Sequence, residues 1–183
     1  EDKLVFVLES GVQQNVVLSA YSQDVVQLKA KSIESDTTLD GKKPFQIFDS
    51  LVVEKGATLT IDRGVRLYFH PGANLIVHGT LKVHGTLEEP VVMRGDRLGN
   101  MFSEQPYDRI PGQWGGVVFT GDSYGNYLNY CDIHSGSFGL RCDSSDVNIR
   151  KLEVENSVIH NVNGHGLYAK MSQIFFGNTQ LTN

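Results

Sequence analysis

Between Leu51 and Arg94 apolar and polar residues alternate in short runs, each entered through a glycine: VEKGATLTI, DRGVRLYF, HPGANLIV, VHGTLKV and HGTLEEPVVM. The glycines fall at Gly56, Gly64, Gly72, Gly79 and Gly85, at intervals of 8, 8, 7 and 6 residues. Alternation with period two sends successive side chains to opposite faces, so each run predicts a short strand with one face turned inward. Helices are excluded here, because β-branched residues abound and glycine interrupts the chain too often for a helix to propagate.

Three runs make a longer period. Thr58-Leu59-Thr60-Ile61 recurs 22 residues later as Thr80-Leu81-Lys82-Val83. KLEVENSVIHN (151–161) aligns at the same step with QIFFGNTQLTN (173–183), pairing Leu152 with Ile174, Val154 with Phe176, Asn156 with Asn178 and Asn161 with Asn183. One period in two separate places predicts a solenoid whose coils, of about 22 residues and three short strands each, stack about 4.8 Å apart. The expected fold class is therefore all-β, a parallel β-helix. Leu75, Val77, Leu81 and Val83 are expected to point inward as stacked apolar columns, and Asn156 to lie over Asn178 as a hydrogen-bonded corner ladder.

Three stretches depart from this rhythm. Residues 1–40 alternate in LVFVL, NVVLSAY and DVVQLKA without the glycines, and are expected to form a few antiparallel strands that cap the first coil of a β-helix over 41–183. Residues 96–113 interrupt the coils as a lateral loop with Met101, Phe102 and Tyr107, and with Trp114 at its exit. Arg97, Glu104, Asp108 and Arg109 give it charge. Phe102, Tyr107, Arg109 and Trp114 are the candidates for stacking on and hydrogen bonding to a sugar; the competing expectation is that the loop folds its aromatics back as a lateral cover. At the other end the coils stop in a corner without a capping repeat, so further coils or a partner are expected there.

Composition narrows the partners. A net charge of −5 over 183 residues argues against nucleic acid. No apolar run reaches the ~20 residues of a membrane helix, which leaves membrane contact to a lipid anchor outside this chain. Cys131 and Cys142 are too few for a disulfide framework and share the inward phase of Ile133 and Leu140; a bridge between them remains geometrically open.

The segments DGKKPFQIF to GQWGGVVF, NYLNYCDIHSGSFGL and ENSVIHNVNGHGLYA resemble the right-handed parallel β-helix proteins of the pectin-lyase-like superfold. More narrowly, they are similar to uncharacterised envelope lipoproteins of Gram-negative bacteria, over roughly residues 40–183. The resemblance implies a right-handed coil and a place in the cell envelope, as a surface or periplasmic lipoprotein, or outside the cell. It does not fix an activity, because that superfold hosts lyases, hydrolases, adhesins and scaffolds.

The chemistry-bearing residues are few. His70, His78 and His84 each mark a corner, and His78 and His84 stand at opposite ends of one strand, too far apart to share a metal. YCDIHS (130–135) and NSVIHN (156–161) align on Ile133 and Ile159; with those isoleucines inward, His134 and His160 face outward with Asp132 two residues away, while their 26-residue separation exceeds the 22-residue step and leaves their register open. Asp132, His134 and His160 are thus the candidate acid–base or metal-binding residues, with His165 a further neighbour and a plain surface ladder the competing expectation. Asp122 with Asp132 is a weaker candidate carboxylate pair, and CDSSD (142–146) reads as a polar corner. Asp143, Asp146, Arg141 and Arg150 do not stack as the calcium ligands and arginine base of pectate-lyase-type enzymes would. No cofactor is required; calcium is the one ion the resemblance leaves open. The expected function is a non-catalytic envelope or secreted protein binding polysaccharide or a surface protein, or serving structurally. The alternative is a polysaccharide lyase or glycoside hydrolase acting beside the 96–113 loop.

Overall fold

A computed structural model describes residues 2–18 and 24–182. Strands β1 (Asp2–Val7) and β2 (Gln13–Leu18) form an antiparallel hairpin that is a sheet of its own. The solenoid strands follow coil by coil. They begin with β3 (Val26–Ile33), β4 (Thr37–Leu39), β5 (Phe45–Val53), β6 (Thr58–Asp62), β7 (Arg66–Phe69), β8 (Asn74–Val77), β9 (Thr80–His84) and β10 (Val91–Gly95). The lateral loop carries β11 (Asn100–Phe102), β12 (Gln105–Pro106) and a short 3₁₀ turn (Tyr107–Arg109). The coils then resume with β13 (Val117–Phe119), β14 (Asn126–Asn129), β15 (Cys131–His134), β16 (Leu140–Cys142) and β17 (Arg150–Glu155). They end with β18 (Val158–His160), β19 (Leu167–Ala169), β20 (Gln173–Gly177) and β21 (Gln180–Leu181).

These strands stack in parallel on three faces. The first carries β4-β6-β9-β14-β17-β20, the second β7-β10-β15-β18-β21 and the third β8-β13-β16-β19. Strands β3 and β5 bend at Ala30 (φ +43°) and Asp49 (φ +64°) and serve both the second and the third face. The fold is a parallel β-helix, all-β throughout the described residues apart from the 3₁₀ turn.

The repeat step governs the register. Thr58, Leu59, Thr60 and Ile61 lie against Thr80, Leu81, Lys82 and Val83, and Leu152 and Val154 against Ile174 and Phe176. On the second face the column Phe45–Leu67–Met93–Ile133–Ile159–Leu181 advances by 22, 26, 40, 26 and 22 residues. The surplus is absorbed by corners and, in the 40-residue step, by the lateral loop. Inward columns such as Leu51–Leu75–Val117–Leu140 are sealed from solvent. Each such side chain stabilises the fold by about 1.5–3 kcal/mol relative to its exposure.

The corner asparagines form the ladder expected of them. Asn178 Nδ2 donates to Asn156 Oδ1 at 2.7 Å, and Asn156 Nδ2 to Asn129 Oδ1 at 2.9 Å. Asn156 and Asn178 sit at φ +48° and +47°, a left-handed corner that asparagine tolerates better than most residues. The pairing of Asn161 with Asn183 lies outside the described residues.

Residues 26–39 differ from expectation. They were expected among the antiparallel strands of a cap over 1–40, yet β3 and β4 pair in parallel with β5 and β6, so the coils begin before residue 41. The alternation in DVVQLKA specifies a strand but not its neighbour's direction. Its bend is made by Ala30, so no glycine marks the corner. Cys131 and Cys142 are both free and buried; burial pushes the Cys131 thiol pKa far up and that of Cys142 up to about 12.

Among the described residues, one charged side chain is fully buried. Lys151 sits where the β17–β20 register slips, and its Nζ donates to Thr120 O and, at 3.0 Å, to Ser123 O. Burial lowers its pKa, against the opposing pull of Cys142, Asp143 and Asp122. The folded chain therefore holds this proton less tightly than the unfolded chain. Stability tied to Lys151 rises with pH between the lowered value and the ordinary lysine pKa of about 10.4. The stability of the native chain minus that of Lys151→Met, from urea melts between about pH 8 and 10, is expected to increase with pH; a flat or falling difference would sink this assignment.

Candidate functional site

The second face carries a row of polar side chains. Gln46 lies beside Tyr68, Tyr68 beside Arg94, and His134 beside His160. Arg94 and His134 follow the paired inward residues Met93 and Ile133 and so complete the row. The 96–113 loop leaves β10 at the end of this row and is clasped down over it. Asp96 accepts from Gln46 Nε2 at 3.1 Å and lies 2.8 Å from His70 Nδ1. Asp108, in the 3₁₀ turn, pairs with the Arg94 guanidinium and lies 3.1 Å from His134 Nε2. Gln113 Nε2 donates to Ile110 O at 2.8 Å and to Tyr107 O. Tyr68 and His134 in this row are buried.

Asp132, His134 and His160 come together. Asp132 Oδ1 lies 2.8 Å from His134 Nδ1 and 3.0 Å from His160 Nε2. The two imidazoles stack with centroids 4.8 Å apart at 23°. Burial alone would raise the Asp132 pKa, but the hydrogen bonds and charges of His134 and His160 prevail and hold it below the ordinary carboxylate value. The 26-residue spacing of the two histidines is the local coil step, since Ile133 pairs with Ile159. His165 is not part of the cluster; its ring lies against Tyr168.

As glycosidase machinery this arrangement is poor. Such enzymes need two carboxyl groups facing each other across about 5–9.5 Å of space for a sugar carbon or a water. Asp108 and Asp132 instead flank the His134 ring, which fills the gap between them. Asp122, weighed as a partner of Asp132, is paired with Lys55 at 3.1 Å. Asp143 is held by Arg141 at 3.2 Å and Arg150 lies 3.7 Å from Glu153, while Asp146 accepts from the Asn148 backbone at 2.9 Å within its polar corner.

The aromatic candidates separate. Trp114 is 1% exposed, stacks on Phe69 at 4.2 Å, and donates from Nε1 to His134 O at 2.9 Å, so it is a core residue and not a sugar platform. Its place after the loop suggested exposure, but it already stands in the coil. Phe102 is 64% exposed, and Arg109 is exposed too. Tyr107 is half-buried with the Arg97 guanidinium 5.3 Å from its ring centre, in a hollow of about 260 Å³ that Met101, Ile110 and Pro111 also line. Phe102 and Arg109 lie outside that hollow. The corner histidines do not meet: His78 faces Thr120 Oγ1 at 3.1 Å, while His84 lies against Tyr127. Arg94 escaped the reading of the sequence; its outward phase after inward Met93 was the available signal.

The stacked parallel coils, with a loop clasped along one face, define a parallel β-helix protein. The family described as pectate-lyase like beta helix domain matches over residues 31–165, and the chain belongs to it. Among curated proteins, Protein bark beetle of Drosophila melanogaster is 33% identical over 95 residues, 49% of this chain. The match spans 3% of that relative's length. No solved structure matches the chain.

Proposed function

We propose that this chain is a non-catalytic binding module that takes a saccharide on the surface beside the 96–113 loop. The observation that carries this reading is the hollow at Tyr107, where a half-buried aromatic ring and a guanidinium are presented by a loop clasped to the coils. An aromatic face suits the apolar side of a sugar ring, and a guanidinium donates to hydroxyls or to uronate carboxylates. The carboxylates Asp108 and Asp132 meanwhile flank the His134 ring and do not face each other across an open space. An extracytoplasmic place, in the cell envelope or outside the cell, goes with this reading and draws on the resemblance to envelope β-helix proteins.

Electrophoresis through gels containing acidic or neutral polysaccharides tests the assignment. The native chain is expected to be retarded by at least one of them, and Tyr107→Ala and Arg97→Ala to bind it about tenfold more weakly. Both variants are expected to melt as the native chain does. Retardation that both leave unchanged would move the site elsewhere.

A further inference from the structure

The surroundings of His134 pose a problem of proton count. A neutral imidazole has one N–H and one lone pair, and a carboxylate has only acceptors. His134 nevertheless lies against a carboxylate oxygen at each nitrogen, Asp132 Oδ1 at 2.8 Å from Nδ1 and Asp108 Oδ1 at 3.1 Å from Nε2. If Nε2–H donates to Asp108, the Nδ1 lone pair of a neutral ring points at Asp132. Two acceptors at that distance require a cation between them, either a second proton or a metal ion. His160 brings Nε2 to the same Asp132 oxygen, at 3.0 Å.

We infer that Asp132, His134 and His160 form a binding site for a divalent transition-metal ion of the zinc class. The three donor atoms all lie within 4.8 Å of one another. Bonds of about 2.0–2.2 Å to a tetrahedral ion need donors about 3.3 Å apart, so modest side-chain rotations on an unchanged backbone bring them into place. The backbone is fixed by the register of β15 and β18, which sets His134 beside His160. Asp108 behind His134 is the outer carboxylate that commonly orients a metal-binding imidazole, and Arg94 balances its charge. Two imidazole nitrogens and one carboxylate suit zinc, whereas calcium seeks six to eight oxygens. Asp132 and His160 keep 38% and 27% of their side-chain surface exposed, so water reaches the fourth position. With the ion in the Nδ1 direction, His134 keeps its Nε2–H on Asp108, and metal binding tightens the clasp on the loop. This inference does not depend on the saccharide reading.

The test is a calorimetric titration of the chelator-treated full chain with zinc chloride, repeated with calcium chloride, and a cobalt titration followed by its visible absorption. One zinc per chain, tetrahedral cobalt bands and no calcium heat are expected. His160→Gln and Asp132→Asn are expected to abolish the bands. Asp108→Asn, which removes only the outer carboxylate, is expected to weaken zinc by about 10- to 100-fold. His70→Gln, outside the cluster, is expected to change nothing. Far-ultraviolet dichroism checks that each variant is folded; if a ligand variant is not, Asp108→Asn and His70→Gln decide. No zinc binding, calcium in its place, zinc that survives both ligand substitutions, or zinc affected by His70→Gln but not by Asp108→Asn would overturn the inference.

Discussion

Gly79→Ala is expected to destabilise the protein by about 3 kcal/mol or to prevent its folding, because a side chain there meets the backbone of the neighbouring coil. A Cβ at Gly79 would stand 2.2 Å from Ala57 O and 2.3 Å from Glu54 O. Neither oxygen can withdraw easily. The same corner is tied down by His78 and Gly79 N–H groups donating to Val53 O at 2.8 and 3.1 Å, and by Thr80 N–H donating to Ala57 O at 3.0 Å. Gly85 repeats the arrangement, with a Cβ 2.2 Å from Tyr130 O. The twice-written His-Gly-Thr is therefore a mark of coil-on-coil contact. Gly56→Ala provides the contrast: Gly56 has φ +86° and nothing within 4 Å of a Cβ, so alanine there meets only backbone strain, about 1–2 kcal/mol. Urea denaturation of both variants checks the order; a Gly56 variant less stable than the Gly79 variant would contradict the stacking described.

Trp114→Ala is expected to destabilise by about 3–5 kcal/mol, the range for removing a large buried aromatic side chain. The ring is stacked at 12° on Phe69, and the indole N–H satisfies the His134 carbonyl, so truncation leaves both a cavity and an unpaired acceptor. Phe102→Ala, at an exposed position of the same region, is expected to change stability by less than about 0.5 kcal/mol. Thermal unfolding of the two variants distinguishes a core tryptophan from a surface one. Comparable small losses would return Trp114 to the ligand candidates.

Legibility in this chain follows the repeat. Where the coil keeps its step, as from Leu59 to Leu81 or from Leu152 to Ile174, the register can be read because inward positions recur at a fixed distance. The histidines were legible only as outward neighbours of inward isoleucines; their 26-residue spacing exceeds the 22-residue step, so the repeat did not fix their register. The bend at Ala30 was not legible, since neither glycine nor asparagine stands there to mark it. The course of the 96–113 loop was not legible either. Its clasp joins residues brought together by the loop's path, Asp108 to Arg94 and Asp96 to Gln46, and no periodicity encodes that path. Trp114 was misplaced because a loop's exit and a strand's entry look alike without the trajectory.

The most direct test of a non-catalytic saccharide-binding module is to incubate the native chain with a panel of acidic and neutral polysaccharides, with and without calcium or zinc. One sizing run reports both co-elution with the glycan and the glycan's length. Co-elution with at least one polysaccharide, all lengths unchanged under every condition, is the expected result. Shortened chains or unsaturated products would contradict it and assign the groove beside the loop to a hydrolase or a lyase.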